Sequence, residues 1–130
     1  NPYDSSMEKE EVEIKTETQF LSEKCRNQLK GIIPLWRQYR SELSKADVYP
    51  VGEEPSGRAM TGFVAYLGNK AHVIVFRETT ERESFVFDPE IAFSSAKLIK
   101  SNANIDFSID NGRLTVKFDK MRSYAWFIIE

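Results

Sequence analysis

The chain has 130 residues and a mass of 15.0 kDa, a size typical of one domain with its own hydrophobic core. It is too short for a complete (β/α)₈ barrel, which needs at least about 200 residues. Its formal net charge is −2, so it lacks the basic excess of most nucleic-acid-binding proteins. No apolar run approaches the length needed to cross a bilayer. We therefore expect neither nucleic acid nor a membrane among its partners.

The counts of one cysteine and one histidine restrict the chemistry further. Cys25 cannot form an intrachain disulfide, and zinc sites with four cysteines, or with two cysteines and two histidines, are excluded. The sequence contains neither of the common glycine-rich phosphate-binding motifs. We therefore predict no metal and no cofactor, and we assign no compartment.

The N-terminal third divides into a polar arm and a helix. Residues 1–18 are acidic and polar, which is typical of a solvated arm or linker, and the chain begins with Asn1 rather than Met, so we expect a processed product or a fragment. Residues 19–45 are predicted to form a helix that is kinked near Gly31 and Pro34. Its apolar residues recur every three or four positions, at Leu21, Cys25, Leu29, Ile32, Trp36, Tyr39 and Leu43.

Residues 46–130 show the alternation of β-strands. The predicted strands are 60–67, 71–77, 84–87, 96–100, 105–110, 113–118 and 124–129. The second is apolar on both faces, so we place it centrally. Asn111-Gly112 predicts a two-residue type I′ turn between two strands that each have one buried and one wet face. The predicted fold class is all-β, an antiparallel sandwich of about seven or eight strands preceded by one kinked helix.

The side chains that could be considered for catalysis are all interpreted as structural or solvated residues. Without a GxSxG motif, no serine is singled out as a partner for His72, which we interpret as a structural histidine of a strand. Cys25 lies on the apolar stripe of the helix and is interpreted as a core residue. The carboxylate pairs Glu53–Glu54 and Asp106–Asp110 are interpreted as solvated. We predict no catalytic residue in this chain.

The aromatic residues suggest two kinds of surface. Exposed, coplanar rings could stack on sugars, and the candidates for carbohydrate binding are Tyr66, Tyr124 and Trp126. The candidates for a domain interface are Trp36, Tyr39 and Tyr49. Because Tyr124 and Trp126 share one face of a strand with Ile128, a packed layer or a contact between domains is the competing interpretation for them.

Six segments that follow one another along the chain form a recognisable unit: 35–40 (LWRQYR), 46–52 (ADVYPVG), 55–57 (PSG), 61–66 (TGFVAY), 73–78 (VIVFRE) and 124–127 (YAWF). Together they resemble the end of melibiase-like glycoside hydrolases, the α-galactosidase group that includes family 36. In that group the last barrel helix ends in W/Y-K/R-x-x-R, and a G-D-x-Y-P segment leads into a C-terminal β-sandwich. Ala46 replaces the usual glycine of the second motif.

The resemblance implies that this chain is the non-catalytic C-terminal module of a putative α-galactosidase. Its partner would be the preceding catalytic barrel of the parent chain, which it would stabilise, and the catalytic carboxylates would lie on that barrel. The alternatives are an autonomous carbohydrate-binding module and a protein-interaction domain without a sugar ligand. In the absence of the barrel, part of its interface should be exposed or covered by self-association.

Overall fold

The architecture is a β-sandwich with a short helical segment on one side. The protein is represented by a computed structural model that describes residues 33–130. The predicted arm at 1–18 and the predicted helix over 19–32 lie outside this range. The helices are α1 (Ile33–Gln38) and α2 (Arg40–Leu43), and the strands are β1 (Asp47–Gly52), β2 (Met60–Leu67), β3 (Lys70–Arg77), β4 (Ser84–Phe87), β5 (Ala96–Ser101), β6 (Ile105–Asp110), β7 (Arg113–Phe118) and β8 (Ser123–Ile129).

The strands form two antiparallel sheets, which confirms the predicted fold class. The large sheet has the order β1-β2-β3-β8-β5, and the small sheet has the order β4-β7-β6. The apolar strand β3 lies in the middle of the large sheet between β2 and β8, as its sequence predicts. The turn between β6 and β7 has positive φ angles at Asn111 (51°) and Gly112 (75°), as a type I′ turn requires.

Each face of the large sheet is covered by a different layer. The inner face packs against the small sheet, with Val73, Phe127, Leu114 and Phe118 in one apolar core. The outer face packs against the helical segment. Residues of that second layer are Leu43, Phe63, Ala65, Ile74, Phe76, Tyr124 and Trp126, with Leu35 and Tyr39 partly buried against them. The molecule therefore has three layers, helix on sheet on sheet.

The helical segment differs in detail from the prediction. Within residues 33–45 the helix is interrupted at Tyr39, whose φ and ψ are −98° and 7°. Helical hydrogen bonds continue across the interruption, since the Tyr39 N–H donates to the Leu35 carbonyl (3.2 Å) and the Leu43 N–H donates to the Tyr39 carbonyl (2.8 Å). Pro34 lies in the first turn of α1, where its missing N–H removes no helical bond. The interruption at Tyr39 divides the helical segment into α1 and α2.

Two strands differ from the sequence-based expectations. The predicted strands begin at residue 60, yet β1 forms over residues 47–52 as an edge strand, where its Pro50 is tolerated. The predicted buried face of β6 is only half covered, and Phe107 and Ile109 remain 36% and 37% exposed. The reason is that β6 is an edge strand of the smaller sheet, whereas β7 in its centre buries Leu114, Val116 and Phe118.

Candidate functional site

A group of polar and aromatic side chains in mutual contact lies between the helical segment and the large sheet. We call it the His72 cluster and define it as Tyr39, Glu42, Lys70, His72 and Trp126. The strands β3 and β8 place His72 and Trp126 on the helix-facing side of the large sheet, two positions apart across the pair. The Tyr39 ring covers both, with centroids 5.0 Å from His72 and 5.6 Å from Trp126.

Hydrogen bonds fix the protonation of His72. The Trp126 indole N–H can only donate, and it lies 3.0 Å from His72 Nδ1, so Nδ1 accepts. The other nitrogen, Nε2, then carries the proton and donates to Glu42 Oε1 at 3.1 Å. His72 is therefore a neutral histidine with both ring nitrogens occupied. This arrangement supports the interpretation of His72 as a structural residue.

Burial determines the electrostatics of the cluster. His72 is 2% exposed, and desolvation holds its pKa below the usual value of 6.5, although Glu42 acts in the opposite direction. The ammonium of Lys70 lies 2.6 Å from Glu42 Oε1, and this contact, followed by those with His72, lowers the pKa of Glu42. A neutral imidazole and an ionised carboxylate are the consistent states near neutral pH.

A second buried polar contact holds the loop between β1 and β2. Glu78 is 1% exposed, and its Oε1 accepts backbone N–H groups of Gly57 (3.0 Å), Ala59 (3.1 Å) and Ser56 (3.3 Å). Several N–H groups on one oxygen stabilise a buried carboxylate. These hydrogen bonds hold the loop 53–59 against the end of β3.

The neighbouring Arg77 is also used inside the protein. It is 5% exposed, and its guanidinium donates to the carbonyls of Thr80 and Phe118, the latter at 2.9 Å. The bond to Phe118 joins the end of β3 in the large sheet to the end of β7 in the small sheet. Arg77 therefore connects the two sheets at one end of the sandwich.

Two of the three residues predicted to bind carbohydrate lie inside the protein, which corrects the proposed platform. Trp126 is 0% exposed and Tyr124 is 3% exposed, because the helical segment covers the face of β8 that carries them. Burial also raises the pKa of the Tyr124 hydroxyl. A sugar ring cannot stack on either side chain, and the packed-layer interpretation describes both.

The third candidate, Tyr66, lies at the other side of the large sheet. It is half buried, and its hydroxyl accepts the backbone N–H of Glu90 at 3.1 Å. Its neighbour Tyr49 is 52% exposed, with ring centroids 6.0 Å apart and the ring planes tilted by 56°. The pair is therefore not the coplanar platform that sugar stacking favours.

The remaining candidates have varied positions. Among the residues predicted for a domain interface, Tyr39 contacts the sandwich itself, and Tyr49 contacts Tyr66 on an exposed edge. Trp36 lies in α1.

Asp106 and Asp110 are exposed and lie opposite the cations Lys117 and Arg113 on β7, which fits their interpretation as solvated residues. Glu53 is exposed and pairs with Arg82, and Glu54 is exposed beside it. Cys25 lies outside the described residues.

Sequence reasoning missed Glu42, Lys70, Arg77 and Glu78. For the last two a signal exists, because Arg77 ends a largely apolar strand and Glu78 directly follows it, at a position where buried charge needs partners. Glu42 and Lys70 have no such signal, since each belongs to an ordinary charged position of its element. Only the approach of α2 to β3 reveals their contact.

Comparisons with known proteins found no matching family model, no similar curated protein and no similar solved structure. Over residues 33–130, no helix has the length and apolar character needed to cross a membrane. Within the same range, no three or more side chains of His, Cys, Asp or Glu are grouped so that they could hold a metal ion.

Proposed function

We propose that this chain is the non-catalytic C-terminal β-sandwich module of an α-galactosidase-like glycoside hydrolase and that it stabilises the catalytic barrel preceding it. The supporting observation is how three buried ionisable side chains are used. His72, Arg77 and Glu78 all direct their polar atoms to other parts of this same chain. His72 joins the helical segment to the large sheet, Arg77 joins the two sheets, and Glu78 joins the loop 53–59 to the end of β3.

The position of the helical segment supports a role at a domain junction. Leu35, Tyr39 and Leu43 pack on the large sheet, so the chain arrives at the sandwich through a segment fixed by apolar contacts and by Glu42. Backbone hydrogen bonds leave little freedom between α2 and β1, so a preceding domain that packs on the helical segment would be coupled rigidly to the sandwich. This is the geometry that a stabilising module requires.

A carbohydrate-binding module is the weaker candidate. Two of its three proposed contact residues are enclosed, and the third forms a tilted pair with Tyr49. Aromatic sugar platforms need exposed ring faces, and among the candidate rings whose exposure the structure describes, Tyr49 alone is more than half exposed. The geometry therefore favours a structural role over sugar recognition.

The first test of this proposal is the gene sequence upstream of the codon for Asn1. The reading frame upstream of Asn1 should encode about 300–400 residues with alternating strand and helix patterns. The purified 130-residue chain should release no nitrophenol from nitrophenyl α-galactoside. In the longer protein, Trp126→Ala should lower the temperature at which α-galactosidase activity is lost, with kcat at 25 °C unchanged.

Val86→Ala is the control, because Val86 is 55% exposed on β4 and belongs to no candidate interface, so this change should leave the inactivation temperature as in the parent. An upstream frame without a barrel pattern would contradict the proposal. So would turnover by the short chain at a rate typical of an enzyme, or a Trp126→Ala enzyme that inactivates at the parent's temperature.

A further inference from the structure

A proton added to the ring of His72 has only one place to bind. Nε2 already carries a proton and donates it to Glu42 at 3.1 Å, so a second proton from solvent binds at Nδ1. Nδ1 accepts the indole N–H of Trp126 at 3.0 Å, and this N–H can only donate. Two donors would then face each other across that distance. Protonation of His72 therefore breaks its hydrogen bond to Trp126.

The charges around His72 compensate an imidazolium only in part. The titratable groups that face the ring are Tyr39 and Glu42 of the helical segment, Lys70 of β3 and Lys97 of β5, which lies beyond Ile128 in the same row. The nearest residues of β2 and β8, Ala65 and Trp126, carry no charge. Glu42 attracts a positive ring, but its side chain is 29% exposed and its Oε1 is already paired with Lys70. Both lysines oppose the added charge.

An imidazolium needs water, and the helical segment is the side from which water can reach the ring. His72 is 2% exposed, and β3 pairs with β2 over eight residues and with β8 over seven residues in unbroken register. Among residues 33–130, the ring of Tyr39, 5.0 Å away, and the carboxylate of Glu42 cover the side that faces the helical segment. Tyr39 lies at the helix interruption, and α2 has only four residues, too few for a stable helix without packing.

We propose that the helical segment is a cover that acid opens: protonation of His72 displaces Tyr39 and α2 from the large sheet while the two sheets stay packed. The proton binds at Nδ1, the bond from the indole breaks, and water reaches the charged ring through the gap. The core between the sheets consists of buried apolar side chains, none of which titrates. The inference does not rest on the proposed enzymatic parent.

The pKa shifts within the His72 cluster have the signs that this coupling requires. Burial, opposed by Glu42, holds the pKa of His72 below 6.5 while the segment is closed, and contact with water returns it toward that value. Proton binding therefore favours the open form as the pH falls below about 6.5. The hydrogen bond from Lys70 lowers the pKa of Glu42, so this carboxylate loses its charge only below pH 4.5. Opening should start with His72 and continue as Glu42 becomes neutral.

Opening uncovers an aromatic and apolar face of the large sheet. This outer face carries Phe63, Ile74, Phe76 and Trp126, each at most 5% exposed in the closed form. A newly exposed apolar patch of this kind binds apolar dyes and ligands. Acid should therefore turn a closed surface into an apolar binding surface while the sandwich remains folded.

The first experiment follows His72 and the helical segment together, by NMR of the full 130-residue chain between about pH 7.5 and about pH 4.5. The sequence has one histidine, so the ring signals of His72 are unambiguous. The amide of Leu43, which donates to the Tyr39 carbonyl, reports on the segment, and the amide of Val73 reports on the large sheet.

Hydrogen-exchange protection, corrected for the intrinsic effect of pH, should fall about tenfold or more at Leu43, with the same midpoint as the titration of His72. Protection at Val73 should stay constant, and binding of an apolar dye should rise with the same midpoint. Equal losses of protection at the two amides would show global unfolding and overturn the proposal. Titration of His72 with protection at Leu43 unchanged would overturn it as well.

Two variants separate the proton switch from a purely structural role of His72. His72→Gln supplies a donor and an acceptor but gains no charge, so Leu43 should keep its protection down to about pH 4.5. Trp126→Phe removes the opposing donor, so the titration midpoint of His72 should rise by about 0.5 pH unit or more. Tyr124→Phe is the matched control, because Tyr124 lies on the same face of β8 and packs against Phe76.

The control should leave the midpoint of His72 unchanged. A midpoint that is the same in Trp126→Phe and in the parent would refute the role of the indole bond. Loss of protection at Leu43 in His72→Gln at the pH seen for the parent would refute His72 as the group that opens the segment. Thermal unfolding at neutral pH verifies that each variant is folded.

Discussion

The two faces of the large sheet are packed in different ways. Between the sheets the core is formed by apolar side chains, among them Val73, Phe127 and Leu114, each 0% exposed. Under the helical segment the layer contains polar groups as well, since His72 links Trp126 to Glu42. Apolar packing tolerates changes of pH, whereas a hydrogen-bonded imidazole does not. The comparison therefore predicts that the inter-sheet core provides stability and that the helix-facing layer makes part of it depend on pH.

The largest effect is expected from Phe127→Ala between the sheets. Removing a fully buried ring leaves a cavity, and the free energy of unfolding should fall by about 3–5 kcal/mol. Urea denaturation measures this loss. Phe107→Ala is the control in the same ring pair, and its half-exposed ring should cost clearly less. Equal losses for the two variants would contradict the view that the inter-sheet core provides most of the stability.

A smaller loss is expected from Trp126→Phe in the helix-facing layer. The change keeps an aromatic ring but removes the N–H donor, so the buried Nδ1 of His72 loses its partner. An unsatisfied buried polar atom costs about 1–3 kcal/mol. A double-mutant cycle with His72→Ala isolates this hydrogen bond. A coupling energy near zero would show that the bond does not contribute to stability.

The free energy of unfolding should depend on pH because the helix-facing layer contains His72. Because the pKa of His72 is lowered in the folded protein, the unfolded chain binds the proton first as the pH falls below about 6.5. Stability should therefore be highest above this pH and decrease as the pH falls through the folded-state pKa. His72→Gln should remove this step. A second decrease, below pH 4.5, should follow when Glu42, whose pKa is also lowered, becomes protonated.

This pH profile is measured by urea denaturation between neutral and acidic pH. Phe127→Ala serves as the matched control, because it lowers the whole profile without changing the slope near pH 6. A parent protein whose stability is flat across that interval would contradict the description of a neutral, hydrogen-bonded His72.

The smallest effect is expected from Lys70→Gln. The ion pair between Lys70 and Glu42 is short, but the two side chains are 35% and 29% exposed, so water and salt screen it. The expected loss is about 0.5 kcal/mol or less, and it should shrink further at high salt. A loss as large as that of Trp126→Phe would show that the ion pair, rather than the indole–imidazole bond, holds the helical segment.

The sequence predicts much of this fold because many of its signals are local. Periodicity alone places β2 and β4 at their observed bounds, and Asn111-Gly112 locates the β6–β7 turn. β1 is absent from the predicted strands, and it forms in the structure by antiparallel pairing with β2 although it contains Pro50. The local sequence shows where apolar and polar residues alternate, but the formation of an edge strand also depends on the strand with which it pairs.

The candidate site was much less predictable. The sequence shows that Trp126 belongs to an apolar strand, and the structure brings it to His72, which lies 54 positions away along the chain. Tyr124 and Trp126 could face either a sugar or a packed layer, because alternation assigns residues to a face without saying what covers that face. The covering helix supplies that information, and it arises from tertiary packing.

The position of β8 in the large sheet has a consequence for synthesis on the ribosome. β8 lies between β3 and β5, although it leaves the ribosome after both of them. Until residues 123–129 emerge, β3 has an unfilled edge and β5 has no strand to pair with, so the large sheet exists only as the β1-β2-β3 meander. Pairing that spans many residues forms slowly and exposes edges to other nascent chains in the meantime. A stop codon before Ser123 would therefore split this sheet in two, while leaving the β6–β7 hairpin able to form.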